Sequence, residues 1–205
     1  MKKWALTFGR YSPPTLAHLS LFSSILSNWE CLAVGVVDSG SVRPIDIPSV
    51  YTEFCDLADE KNILERNPFT PDERVRMLSA AISHFWQDRV IQVFAIKRPE
   101  YNQAEFMAKF PPQTFDLVFP YEEGRSELFD SVRNRVFQEL LGRKIFFVKP
   151  ELILHGRVIR KLIANGGSWR EFIPAGALEV FLAINGPQRM QAVVAKEKKC
   201  SDPPR

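Results

Sequence analysis

Apolar and polar positions alternate in blocks along this chain of 205 residues. The first block, Trp4-Ala5-Leu6-Thr7-Phe8, is a short apolar run closed by Gly9 and predicts a buried strand. From Thr15 to Leu26 the apolar residues return at helical spacing (Leu16, Leu19, Phe22, Ile25, Leu26), and Pro13-Pro14 just ahead suit a helix start. Leu32 to Val37 predicts a second buried strand. Strand, helix and strand within 37 residues is the opening of a parallel sheet with right-handed crossovers.

Asp38 to Glu65 breaks the rhythm and reads as an inserted loop or lid, with a short helix over Val50–Ala58. Order resumes at Thr70-Pro71-Asp72-Glu73: a Thr cap, Pro in the first turn, and Glu three residues on to close a capping box. That helix extends to about Trp86. Val90–Ile96 predicts a third strand, Phe115–Phe119 a fourth and Lys144–Val148 a fifth. Between the last two, Ser126–Leu141 predicts a helix, with Phe129, Val132, Val136, Phe137 and Leu140 on one stripe. Arg157–Ala164 predicts a short helix stopped by Asn165-Gly166-Gly167. Ser168-Trp169-Arg170-Glu171 offers a further capping box, and a last helix is predicted over Ala177–Asn185. From Gln191 the chain turns polar. The expectation is one doubly wound α/β domain over residues 1–190, a Rossmann-like parallel sheet of about five strands with helices on both faces, and a flexible tail over 191–205.

Composition narrows this little further. At 45% hydrophobic and 25% charged residues the chain is that of a globular protein. The net charge of +3 suits a small anionic substrate and is too weak to argue for nucleic acid. Cys31, Cys55 and Cys200 form neither a metal spacing nor a disulfide framework, which fits a reduced compartment. No apolar run approaches the ~20 residues of a membrane span. A cytoplasmic protein is expected, with no membrane or nucleic-acid partner.

Two strand-to-helix turns carry candidate chemistry, since parallel sheets bind ligands beyond the carboxyl ends of their strands. The first runs from Gly9 to His18. Gly9 allows close approach of backbone to a ligand. Thr15 and His18 share one face of the first helical turn, whose free N–H groups favour phosphate. Arg10 adds a cation able to clamp a phosphate through two hydrogen bonds. The second is Leu154-His155-Gly156-Arg157-Val158-Ile159-Arg160-Lys161. Arg157, Arg160 and Lys161 share a helix face at a helix start, where cations oppose the dipole. They form either a solvated basic face or the seat of a bound polyphosphate.

Gly9-Arg10-Tyr11-Ser12-Pro13 and Thr15-Leu16-Ala17-His18 resemble the first signature of the nucleotidyltransferase superfamily, a Gly-Arg-aromatic-x-Pro lead-in followed by [His/Thr]-x-Gly-His, with Ala17 where glycine is usual. The 154–160 turn is similar to the superfamily's second signature, Ile-Ser-x-Thr-x-x-Arg. Arg160 matches its terminal arginine, while His155 and Arg157 stand at its hydroxyl positions. Asn67-Pro68-Phe69-Thr70 with Glu73-Arg74 resembles a motif of nicotinamide-mononucleotide adenylyltransferases, especially the archaeal and NadR-like types. The stretch Gly166–Pro174, with Trp169-Arg170 and Ile173-Pro174, resembles another.

The resemblance implies an enzyme that moves adenylyl from ATP to nicotinamide or nicotinate mononucleotide, releasing pyrophosphate with no covalent intermediate. It implies His18 on the α-phosphate, Thr15 on the triphosphate, Arg10 as a phosphate clamp, and Arg160 with Arg157 on the β and γ phosphates. Gly9, His155 and Gly156 would border the nucleotide, and Gly40, Ser41, Asn67 and Arg74 the acceptor. Thr70 reads as a helix cap. Mg²⁺ would come with ATP and need no side-chain cage. Relatives of this kind often self-associate, so a homo-oligomer is a further expectation. Two alternatives stay open: another phosphorylated acceptor with ATP or CTP as donor, and a nucleotide-binding member without catalysis.

Overall fold

The computed structural model describes residues 3–38, 52, 67–121 and 134–201. Its five parallel strands are β1 (Trp4–Gly9), β2 (Cys31–Val37), β3 (Val90–Ile96), β4 (Phe115–Pro120) and β5 (Ile145–Val148). They lie in the order β3-β2-β1-β4-β5. The order reverses at β1: the chain first steps outward to β2 and β3, then crosses to β4 and β5 on the other side. The loop after β1 therefore opens at the switch point, where such sheets hold ligands.

The described helices are α1 (Leu16–Leu26), α2 (Pro71–Phe85), α3 (Gln103–Lys109), α4 (Gly156–Ala164), α5 (Ala175–Ala183) and α6 (Gly186–Ser201). Both faces of the sheet are covered. On one, Ala5, Leu32, Val34, Val36 and Val118 pack with Phe22 and Ile25 of α1, Met77 and Leu78 of α2, Ile159 of α4 and Phe181 of α5. On the other, Leu6, Ala33, Leu117 and Phe119 pack with Phe106 of α3 and with Phe137 and Leu141. Neighbouring residues of β1 and β2 thus serve opposite cores. This is why those strands read as continuous apolar runs rather than alternating ones.

The capping box expected at α2 is present. Thr70 Oγ1 accepts from the Glu73 N–H at 3.2 Å, and Glu73 Oε2 accepts from the Thr70 N–H at 2.9 Å. Trp86 and Trp169 pack against the core.

Several expectations are corrected. Of the helix expected over 126–141, residues 134–141 lie within the described residues; they are helical through Leu140, but Val136–Leu140 is a π-helical turn rather than an α-helix. Ser168 does not cap a helix. A single 3₁₀ turn, Arg170–Phe172, follows Trp169, and Pro174, which cannot continue a helix interior, instead opens α5 two residues earlier than expected. The residues from Gln191 to Ser201, read as tail, continue α6. Asn185, at φ +55°, makes the break between α5 and α6, a conformation asparagine tolerates well. Helix α6 is held by the buried Met190 and Val193, one turn apart, and by Gln191 Nε2, which donates to Ile163 O of α4 at 3.3 Å. The short helix expected over Val50–Ala58 lies outside the described residues, apart from Thr52.

Helices α2 and α5 touch backbone to backbone. A Cβ on Gly176 would lie 2.3 Å from the carbonyl oxygen of Ala80. That atom belongs to a helix and cannot yield. Gly176→Ala is expected to destabilise the fold by about 1–3 kcal/mol, the usual cost of overpacking. Urea unfolding checks this: the midpoint should fall with an unchanged slope.

Candidate active site

Strand β1 ends at Gly9, and the next six residues form a rigid turn into α1. Tyr11 sits at φ +48°, in the left-handed region that non-glycine residues rarely occupy. Its ring is buried beneath the turn: a Cβ on Gly9 would stand 3.3 Å from Tyr11 Cζ. The same ring meets the His18 imidazole edge-on, with centroids 5.0 Å apart, and packs on Phe22. Burial pushes the Tyr11 phenol well above its ordinary value, although a hydrogen bond with Thr7 works the other way. Tyr11 is therefore a neutral platform.

His18 is held from above as well. The backbone N–H of Thr15 donates to His18 Nδ1 at 2.9 Å. An amide N–H can only donate, so Nδ1 must accept, and the single proton of the neutral ring lies on Nε2. Thr15 Oγ1 also lies 2.9 Å from Nδ1, and the Thr15 side chain is fully buried. Thr15 therefore fixes the imidazole. Burial drives the pKa of His18 down to about 4. At neutral pH the group is an uncharged N–H donor.

This makes a pH prediction. The unfolded value, 6.5, lies above the folded one, so the unfolded chain takes up the proton first as pH falls. The site's contribution to stability is intact above about pH 6.5 and is lost progressively toward pH 4, by up to about 3 kcal/mol. The His18 ring resonances should not titrate above pH 5, and the acid-side loss of stability should shrink in His18→Asn.

The turn is braced from α2 and the segment before it. Ser12 Oγ donates to Asn67 Oδ1 at 2.6 Å. Arg74 Nη1 donates to the Arg10 carbonyl at 2.8 Å, and Nε donates to Thr70 O at 3.3 Å. Burial lowers the Arg74 pKa to about 10; the Asp38 carboxylate offsets part of this, and the Arg10 cation adds to it. Arg74 stays charged at neutral pH. Asn67 and Arg74 were expected to line the acceptor pocket. At 6% and 1% exposure they have almost no surface for an acceptor to touch. A buried guanidinium needs acceptors, and here the carbonyls of residues 10 and 70 supply them.

The second turn lies beside the first. A Cβ on Gly156, at the start of α4, would be 3.8 Å from the Ser12 carbonyl oxygen and 4.0 Å from Arg160 Nη1. The loops after β1 and β5 therefore meet, and Arg160 comes with the second. Neither α1 nor α4 carries an acidic residue in its first turn. His155 is exposed and Arg10 and Arg160 are partly buried. The side chain of Arg157, and Gly40 and Ser41 entirely, lie outside the described residues. Reading the sequence for chemistry passed over Tyr11 and Ser12, which lay inside the motif, and Arg189, which no local pattern marks.

The chain is similar over nearly its whole length to archaeal enzymes. It is 26% identical to the nicotinamide-nucleotide adenylyltransferase of Methanolobus tindarius over 207 residues, covering 97% of this chain and 98% of that one. With the enzyme of the same name from Archaeoglobus fulgidus it shares 24% over 200 residues, covering 94% and 98%. It is a homologue of these adenylyltransferases. No family model matches the chain. Among solved structures, the bifunctional NMN adenylyltransferase/ADP ribose pyrophosphatase of Francisella tularensis, complexed with AMP and a manganese ion, aligns with a TM-score of 0.61 at 13% identity. The match covers 97% of this chain and 54% of that one. It shows a shared Rossmann-like fold.

Among the described residues, no three His, Cys, Asp or Glu side chains cluster to hold a metal. No described helix is long and apolar enough to cross a membrane.

Proposed function

We propose that this chain is an adenylyltransferase that joins AMP from ATP to the phosphate of nicotinamide or nicotinate mononucleotide. An acceptor phosphate oxygen forms a bond to the α-phosphorus, the bond from that phosphorus to the bridging oxygen breaks, and pyrophosphate leaves. The observation that carries the reading is the meeting of the two glycine turns, which brings together the starts of α1 and α4, the helices that carry His18 and Arg160. The names of the full-length relatives supply the substrate class.

In this reading the site works by positioning and by fixed donors rather than by proton transfer. His18 Nε2–H bonds an α-phosphate oxygen as charge builds there. The N–H groups opening α1, with Gly9 beside them, face the triphosphate. Arg10 clamps a phosphate, and Arg160, with Arg157, holds the β and γ phosphates, while His155 and Gly156 border the nucleotide. Thr15 acts through the imidazole it fixes. Asn67 and Arg74 act through the turn they brace, which leaves Gly40 and Ser41 for the acceptor. A divalent cation such as Mg²⁺ enters with the triphosphate, held by phosphate oxygens and water. A cytoplasmic setting and self-association are part of the same proposal.

The burial of Asn67 and Arg74, which leaves them little surface to offer a mononucleotide, favours a second reading, in which ATP or CTP is the donor and the acceptor is a different phosphorylated compound. Pyrophosphate release, measured for each nucleoside triphosphate against a panel of phosphorylated acceptors, separates them. Release with ATP and the mononucleotide is the expected result. Release only with another acceptor supports the second reading, and nucleotide binding without release overturns both.

A further inference from the structure

We propose that Arg189, on the carboxy-terminal helix α6, is a positioning residue for the phosphate-binding turn after β1. Its guanidinium grips the segment that braces that turn. Nη1 donates to Glu73 Oε1 at 2.7 Å, and Nη2 donates to Glu73 Oε2 at 2.9 Å and to the carbonyl of Pro68. The cation also lies over the Phe69 ring, 4.9 Å from its centroid. A forked pair of this kind fixes orientation as well as distance.

The carboxylate it holds is not a free surface group. Glu73 Oε2 already accepts from the Thr70 N–H and closes the capping box of α2. Arg189 is the leading cause of the lowered Glu73 pKa. One residue on, Arg74 reaches from the first turn of α2 to the Arg10 carbonyl, and Asn67, one residue before Pro68, accepts from Ser12. Arg189 thus holds residues next to Asn67 and Arg74, whose side chains both hydrogen-bond the turn after β1. Those bonds hold Arg10 and Ser12 on either side of Tyr11, whose left-handed backbone persists only under constraint. The ring of Tyr11 in turn supports His18.

The kinetic consequence rests on the adenylyl-transfer reading; the mechanical one does not. Arg189→Ala should leave the fold intact but release the turn. Amide hydrogen exchange in a peptide spanning residues 10–18 should speed up by about tenfold, while β2 stays protected. With ATP and the mononucleotide, kcat should fall by about tenfold, within the loss that a small distant misplacement can cause. KM for ATP should move by less than about twofold. Arg189→Ala combined with Arg74→Lys should lose less than the product of the two single losses, because part of the Arg189 effect runs through Arg74.

Glu73→Gln, which keeps the shape and removes the charge, should give a weaker form of the same pattern, and it serves if Arg189→Ala does not fold. Unchanged exchange at 10–18 overturns the proposal, as do kcat losses that multiply in the double variant. A wild-type chain without turnover would instead overturn the adenylyl-transfer reading, leaving hydrogen exchange to decide on the brace.

Discussion

His18→Ala is expected to lower kcat by about 100-fold or more, the scale seen when one transition-state donor is removed. The ring has two nitrogens with separate duties. Nδ1 accepts from the Thr15 amide, so Nε2 carries the proton and, in the proposed reaction, is the atom offered to substrate. Amide side chains divide these duties. His18→Asn places an oxygen near the Nδ1 position and keeps the bond to Thr15, but it has nothing at Nε2. It should lose nearly as much turnover as alanine while keeping more stability. His18→Gln reaches the Nε2 position with an N–H and should retain more kcat than either. An asparagine variant with wild-type turnover would show that the donor is not used. Activity should also show no titration of this group near pH 6.5, because burial has moved it to about 4.

Arg160→Ala is expected to raise KM for the triphosphate by about 10- to 100-fold, the equivalent of losing one or two hydrogen bonds to a charged group. Its neighbours on α4, Ile159 and Ile163, are anchored in the core, so the loss should fall on binding rather than folding. KM for the acceptor should change much less, since the proposal gives Arg160 to the β and γ phosphates of the donor. Lysine restores the charge but not the planar fork, and Arg160→Lys should recover only part of the affinity. Calorimetry with each ligand alone checks the asymmetry; equal losses for both would contradict it.

The strands and the two glycine turns were legible because local physics marks them. Central strands buried on both faces leave unbroken apolar runs, and a Thr-Pro-x-Glu opening leaves a capping box. Helix α6 was not legible. Its buried contacts come from Met190 and Val193 amid polar residues, too narrow a stripe to stand out. The Ser168 box failed because Pro174 arrives too soon for a helix to form. Asn67 and Arg74 were recognised as belonging near the site, but type and spacing do not reveal which way a side chain turns. Arg189 lies 116 residues from Glu73, and only the folded chain brings them together.

Asn185 divides the molecule in a way that bears on how small it can be made. A chain ending there would keep every strand, both glycine turns, His18 and Arg160. It would lack the helix that packs on α4 and bonds the Ile163 carbonyl through Gln191, and the Arg189 grip on Glu73 would be gone. If Arg189 braces the turn as proposed, processing between α5 and α6 should leave a folded remnant that turns over slowly.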